Sequence, residues 1–346
     1  MGSPSPHLRA AGVSILAALV GPAPALVVST LPRLVELRHD AWWQVAVANV
    51  SVAAGMLWHL REYVTPGDAP TDASERAAAA IGSAEQILLG VMGAGRGASA
   101  ATTRMFVSRT ARLLPFFPAL RGPFLDAVLA LAPDAREALL GVSAAGEFVG
   151  AGGGEDVLPL LGPSGQRIAV PAVGGALPAA TVVAMVCEAV LAADLQHLEL
   201  AHLQLLLAAA LSAELDAATG HLPPAFAALA NALRDHIFVG LCDALCCPAA
   251  LALLALLVTR LPAGGGGGID LLAAPTLQGS LMLLHAPPSG APEPALQADV
   301  ANFLRDAGAI SPEAAAAVRD LLAAWASRYP ALFADSPLRA VAEELA

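Results

Sequence analysis

The chain has 346 residues, a formal net charge of −11 and 57% hydrophobic residues. Only 14% of its residues are charged, against about 25% in an ordinary soluble domain, so a membrane protein has to be considered beside a globular one. The acidic balance argues against a nucleic-acid partner, because phosphate binding requires a concentrated cationic face. The densest basic group, Arg104, Arg109 and Arg112, spreads over an arc of about 140° on a helix, which predicts a solvated face. All basic residues are arginine, so conjugation to a lysine side chain is excluded.

Helical periodicity, interrupted by Pro and Gly, recurs along residues 1–145 and predicts an N-terminal helical region. The run 10–32 is uncharged and long enough to span a bilayer, but Pro22, Pro24 and Pro32 interrupt it. Together with 41–60, 168–191 and 244–260, this run defines the membrane alternative, an integral protein with two to four spans. Buried helices of a globular fold are the preferred interpretation.

The stretch ILLGVMGAGRGASA (87–100) contains Gly93, Gly95 and Gly97 in a G-x-G-x-G pattern. After a strand, such a turn lets the backbone approach a dinucleotide or S-adenosylmethionine. The string resembles the first motif of the symmetric arginine methyltransferases, which have GAGRG after an apolar strand, and the resemblance implies a cofactor-binding enzyme. No acidic residue follows at the position about 20 residues on that would hold the ribose. A helix–helix connector is therefore preferred, with no cofactor.

Residues 146–176 lose the helical period and predict an irregular or β-hairpin insertion, because VLPLL and RIAVP flank GPSGQ. The insertion carries apolar residues that are unusual for a solvated loop. Either they pack on the helices or they form a partner-binding edge. The partner-binding candidates are Phe148, Val157, Leu158, Leu160, Ile168 and Val170.

Residues 177–346 predict a C-terminal helical region with a flexible glycine joint at 262–268. Ser311, followed by Pro312 and Glu313, predicts the start of a helix over 312–328. Three of the four cysteines lie in GLCDALCC (240–247). On a helix continuing to 247, Cys242 and Cys246 share one side, but a structural zinc needs four ligands. Even with Cys187 as a third ligand the set is incomplete, so core packing is preferred over a metal or redox site.

The helix-after-helix pattern predicts an all-α fold of stacked antiparallel helical hairpins. Residues 31–60, LPRLVELRHDAWWQVAVANVSVAAGMLWHL, resemble a HEAT or armadillo-type hairpin, and residues 318–345 are similar. The resemblance implies a scaffold that binds other proteins.

We therefore expect a non-catalytic interaction scaffold, or a structural component of a larger assembly, with other proteins as partners. We expect it in the cytoplasm, with association with the cytoskeleton or an organelle left open. The alternatives are the membrane protein and a nucleotide- or S-adenosylmethionine-binding enzyme that uses the Gly93–Gly97 loop.

Overall fold

The computed structural model describes residues 3–64, 72–93, 98–147, 157–161, 167–171, 173, 176–262, 267–285 and 294–346. The predicted all-α class is confirmed, and the strands among these residues form one short hairpin. The chain divides into two compact units. Unit 1 comprises residues 1–139 and 151–178, and unit 2 comprises residues 140–150 and 179–346.

The helices up to residue 140 are α1 (Pro6–Leu19), α2 (Pro24–Val28), α3 (Leu31–Glu36), α4 (Trp43–Leu60), α5 (Asp72–Gly93), α6 (Ala100–Thr110), α7 (Arg121–Leu129) and α8 (Pro133–Leu140). Several of them begin at a proline, whose fixed φ suits the first helical turn and whose missing N–H is not needed there. The prolines in the run 10–32 divide it among α1, α2 and α3.

Unit 1 is built around α4, which packs against α1, α5 and α6. Most of α4 is buried, as expected for a helix that is apolar on nearly all sides. Its one buried amide is Asn49, whose Nδ2 donates to the carbonyl of Leu37 at 3.1 Å. In the parts of the chain that are described, every helix falls short of the length or the apolarity needed to cross a bilayer.

The hairpin belongs to unit 1 and consists of β1 (Val157–Leu161) and β2 (Arg167–Pro171), paired antiparallel. The backbone of β2 lies alongside α6. Just after β2, the N–H of the buried Val173 donates to the carbonyl of Leu139 at 3.0 Å. This bond ties the end of the hairpin to the end of α8.

The helices of unit 2 are α9 (Ala179–Ala192), α10 (Leu200–Ser212), α11 (Pro224–Gly240), α12 (Cys247–Arg260), α13 (Pro275–His285), α14 (Pro294–Gly308), α15 (Pro312–Arg328), α16 (Pro330–Ala334) and α17 (Leu338–Leu345). Helix α12 lies at the centre, in contact with α10, α11 and α14. Helix α15 has the predicted bounds, and its predicted cap is confirmed, since the Ser311 hydroxyl accepts the N–H of Ala314 at 3.1 Å.

The predicted glycine joint at 262–268 falls partly outside the described residues, at 263–266. Its last residue, Gly268, is buried and begins a short 3-10 helix that packs on the end of α12. A Cβ at this position would overlap the carbonyl oxygen of Leu257 and lie 2.6 Å from that of Val258. Only glycine allows this approach of two backbones.

Candidate functional site

The glycine candidates follow a helix instead of a strand. Helix α5 runs through Ile87 and Met92 and ends at Gly93, whereas a dinucleotide-binding turn follows a strand. Gly95 and Gly97 lie outside the described residues.

The cysteine candidates do not share a helix. Helix α11 ends at Gly240, and α12 begins at Cys247, so Cys242 and Cys246 lie in the intervening turn. The prediction of a helix continuing to 247 is wrong, because α11 ends at Gly240 and Asp243 forms a local turn. Its Oδ1 accepts the N–H of Leu245 at 2.8 Å and that of Cys246 at 3.3 Å, which are bonds that compete with helix continuation.

The thiols are buried at Cys246 and Cys247 and half-buried at Cys187 and Cys242. Burial raises the pKa of Cys242 to about 11, that of Cys246 to about 11 and that of Cys247 to about 12. Cys187 lies in α9, where burial also raises its pKa. Thiols with such pKa values are protonated at neutral pH and are weak nucleophiles and metal ligands. In the described parts of the chain, no three His, Cys, Asp or Glu side chains converge on a metal position.

The hairpin candidates occupy paired positions on β1 and β2. Leu158 is opposite Val170 and Leu160 is opposite Ile168, so these four positions belong to one face of the hairpin. Val157 is opposite Pro171, on the other face, and Phe148 lies outside the described residues. Partner binding by these residues stays a prediction.

Arg104 and Arg109 of α6 are half-buried and differ from the predicted solvated face, whereas Arg112, just after α6, is exposed. The Nε atoms of Arg104 and Arg109 are buried and have no hydrogen-bond partner among the described residues. Burial lowers the pKa of Arg109, and burial together with the charges of Arg109 and Arg61 lowers that of Arg112. The guanidinium carbons of Arg61 and Arg112 lie 4.1 and 4.3 Å from the centre of the Trp58 ring. Arg61 and Arg112 therefore pack against the aromatic surface of Trp58.

The described residues of unit 2 form a groove of about 540 Å³ between α12 and α14, called the groove below. The α12 residues that line it recur every three to four positions and so form one stripe along the helix. They are Pro248, Leu251, Ala252, Ala255, Val258 and Thr259. From Pro248 to Thr259 this stripe is about 16 Å long at 1.5 Å per residue. Ala252 and Ala255 are half-buried, and their small side chains leave the space between the walls open.

The stripe on α14 carries the charges of the groove. It comprises Asp299, Asn302, Phe303, Asp306 and Ala307, with Ile310 just beyond the helix. Both aspartates are exposed and make no ion pair with any other described residue. They are seven residues apart, which places them about two helical turns apart on one face. The groove is therefore apolar along its length and acidic at its edge, with no basic residue among the described residues that line it.

One end of the groove is bounded by the turn at 143–147. The N–H of Gly146 donates to the carbonyl of Ser143 at 3.0 Å, and the N–H of Ser143 donates to the carbonyl of Glu147 at the same distance. Gly146 has φ +75°, and a Cβ there would lie 2.6 Å from the Cβ of Ala252. Glycine thus brings Ala145 to the groove, where it forms part of the lining.

Comparison with known proteins adds no relative to this description. No family model, no curated protein and no solved structure matches the chain. The likeness of residues 31–60 and 318–345 to HEAT and armadillo-type hairpins is thus not accompanied by a family match.

The sequence interpretation missed the groove. The sequence pattern that could have indicated the groove is the spacing of Asp299, Phe303 and Asp306 on α14. The same spacing is typical of any amphipathic helix. Since α12 and α14 are separated by α13 in the chain, their pairing is a property of the fold.

Proposed function

We propose that this chain is a non-catalytic helical scaffold that holds an amphipathic, basic helix of another protein in the groove between α12 and α14. The observation that supports the proposal is the pair of facing stripes, one of them edged by Asp299 and Asp306, which have no ion-pair partner among the described residues. The stacked-hairpin arrangement expected from residues 31–60 and 318–345 belongs to this proposal.

The shape of the groove favours a helix as its occupant. A helix presents apolar side chains at i, i+3 or i+4, and i+7, and a groove of about three turns accommodates such a row. The spaces above Ala252 and Ala255 suit large aliphatic side chains of the partner. Leu251 and Phe303, on the two opposite helices, supply apolar contact area.

The charge of the groove favours a basic occupant. Two carboxylates two turns apart complement Lys or Arg side chains spaced seven residues apart on the partner helix. Complementary charges fix the register of such a helix and suppress acidic competitors. An acidic helix would place like charges beside Asp299 and Asp306.

A library of displayed helical peptides, selected on the full chain, tests this proposal. We expect the binders to share apolar positions at i, i+3 or i+4, and i+7, and to carry Lys or Arg seven residues apart. Against the doubly charge-reversed variant Asp299→Lys, Asp306→Lys, the same library is expected to yield acidic peptides. Both aspartates are exposed, so these substitutions leave the helix packing intact.

A blocking variant locates the binding. Ala255→Trp fills the middle of the groove, and we expect it to weaken the selected peptides by at least about tenfold, or 1.4 kcal/mol. Ala323→Trp, at an exposed position of α15, is the matched control and is expected to have no effect. Binders without basic residues, or binders that tolerate Ala255→Trp, would contradict the proposal.

A further inference from the structure

A cavity of about 510 Å³ lies in unit 1 between α5, α6, α7 and α8. None of the residues that line it also lines the groove. Its walls are mostly apolar and are formed by Leu89 and Met92 of α5, Pro123 and Ala127 of α7, Leu131, and several further alanines. A volume of roughly 300 to 1,000 Å³ with apolar walls and few polar groups is typical of small-molecule sites. Gly93, at the end of α5, also lines this cavity.

Two opposite charges line the cavity, those of Arg104 and Asp126. The Nε of Arg104 is buried without a hydrogen-bond partner among the described residues, although the chain has 29 Asp and Glu residues. An unpaired N–H in a buried position is costly, and the cost is largest for charged groups. Asp126 is exposed and its carboxylate has no partner in the described part of the chain.

Arg104 and Asp126 do not neutralise each other. The two side chains form no ion pair, which means that no nitrogen of Arg104 lies within 4.0 Å of a carboxylate oxygen of Asp126. Both charges are thus available to a molecule between them. Ala100, the first residue of α6, lines the same cavity, so the positive end of this helix dipole adds to the attraction for a carboxylate.

We propose that this cavity binds a small apolar zwitterion, a molecule with a carboxylate, an ammonium group and an aliphatic body. Arg104 takes the carboxylate, with charge-assisted hydrogen bonds from its guanidinium N–H groups. Asp126 takes the ammonium group at the exposed side, and the apolar walls cover the aliphatic body. A free aliphatic amino acid and a short apolar peptide share this chemistry.

Isothermal titration of the full chain with four probes tests the assignment. The probes are L-leucine, L-leucyl-L-leucine, 4-methylpentanoate without the ammonium group, and 3-methylbutylamine without the carboxylate. We expect saturable binding of at least one zwitterion, and affinities at least about tenfold lower for the two singly charged analogues. The ratio of leucine to leucyl-leucine affinity distinguishes the two sources of the ligand.

Variants then assign each charge. Asp126→Asn is expected to reduce the affinity for the bound zwitterion to that of 4-methylpentanoate, because the ammonium group loses its partner. Arg104→Met is expected to abolish binding of both the zwitterion and 4-methylpentanoate, and Arg104→Lys is expected to retain part of that binding. Arg33→Met, at an exposed arginine of unit 1, is the control with no expected effect.

The results that overturn the proposal are equally specific. Absence of binding heat with all four probes at about 10 mM excludes a dissociation constant of about 1 mM or tighter. Binding of 4-methylpentanoate as tight as that of the zwitterions excludes a role for Asp126. If Arg104→Met fails to fold, the exposed Asp126→Asn decides, and unchanged zwitterion affinity in that variant overturns the assignment.

Discussion

The cavity of unit 1 and the groove of unit 2 have similar apolar linings and differ in the charges that line them. Alanines contribute to both linings, and in both an apolar wall comes from a few larger side chains. The cavity holds one guanidinium and one carboxylate, Arg104 and Asp126, whereas the groove has two carboxylates, Asp299 and Asp306. In an alanine-rich chain the small side chains leave space, and we expect the sparse charges to determine what binds there.

The largest expected effect is on the groove alone. Gly268→Ala forces a Cβ into the backbone of α12 at Leu257 and Val258, where no flexible side chain can yield. We expect unit 2 to lose about 3 kcal/mol of unfolding free energy, at the upper end of overpacking effects. Hydrogen exchange of the helices of unit 2, compared with those of unit 1, measures the loss.

Gly279→Ala is the matched control for that substitution. Gly279 lies inside α13 and has open space around it. Alanine there is expected to stabilise the helix by about 0.5 to 1 kcal/mol. Equal effects of the two substitutions would contradict the close approach at Gly268, and cavity binding is expected to survive both.

Alkaline pH is expected to weaken unit 2 more than unit 1, since all four cysteines are in unit 2. Burial raises the pKa of Cys242 and Cys246 to about 11 and that of Cys247 to about 12, so the folded state retains protons that the unfolded thiols release near pH 9. The stabilisation is complete below about pH 9 and is lost as pH rises through 11 to 12. Solvent screening makes the loss smaller at the half-buried Cys242 than at the buried Cys246 and Cys247.

Hydrogen exchange of the two units at about pH 8 and about pH 10.5, corrected for intrinsic rates, measures that difference. The double variant Cys246→Ala, Cys247→Ala is expected to reduce the pH dependence of exchange in unit 2, although it loses packing at both pH values. Cys187→Ala, which removes a thiol whose pKa burial raises less, is expected to have a smaller effect. An unchanged pH dependence in the double variant would contradict the assignment to these thiols.

Blocking substitutions are expected to separate binding at the two sites by about tenfold, or 1.4 kcal/mol. Ala130→Trp, at an exposed residue that lines the cavity, is expected to weaken zwitterion binding and to leave peptide binding unchanged. Ala255→Trp is expected to do the reverse. Titration of both variants with both ligands gives the four affinities, and loss of both activities in one variant would contradict the independence of the sites.

Salt gives the smallest difference. Each exposed ion pair contributes about 0.2 to 1 kcal/mol, and raising the salt from about 50 to about 500 mM screens it. We expect peptide binding at Asp299 and Asp306 to weaken about fivefold. Zwitterion binding is expected to change less than about twofold, because the ligand has no net charge and Arg104 is partly shielded from solvent. Fluorescence anisotropy and calorimetry at both salt concentrations test this contrast.

Local signals in the sequence were sufficient where they act within one turn of the chain. Ser311, Pro312 and Glu313 predicted the start of α15, because a hydroxyl cap and a first-turn proline are effects of neighbouring residues. The end of α11 was missed for an equally local reason. Asp243 accepts the N–H groups that a continuing helix would use. The apolar residues on either side of Asp243 favour a helix in the sequence pattern and so mask this turn.

The sequence itself determined the helical class and many of the helix boundaries. The spacing of apolar residues, the prolines and the capping residues all act over short distances along the chain. Only the tertiary structure decided that Asp299 faces α12 across a groove and that Arg104 and Asp126 border one cavity. Those residues are distant in the chain, and the same spacings on isolated helices are compatible with many packings. A binding site requires one particular packing, which depends on which apolar stripes bury each other.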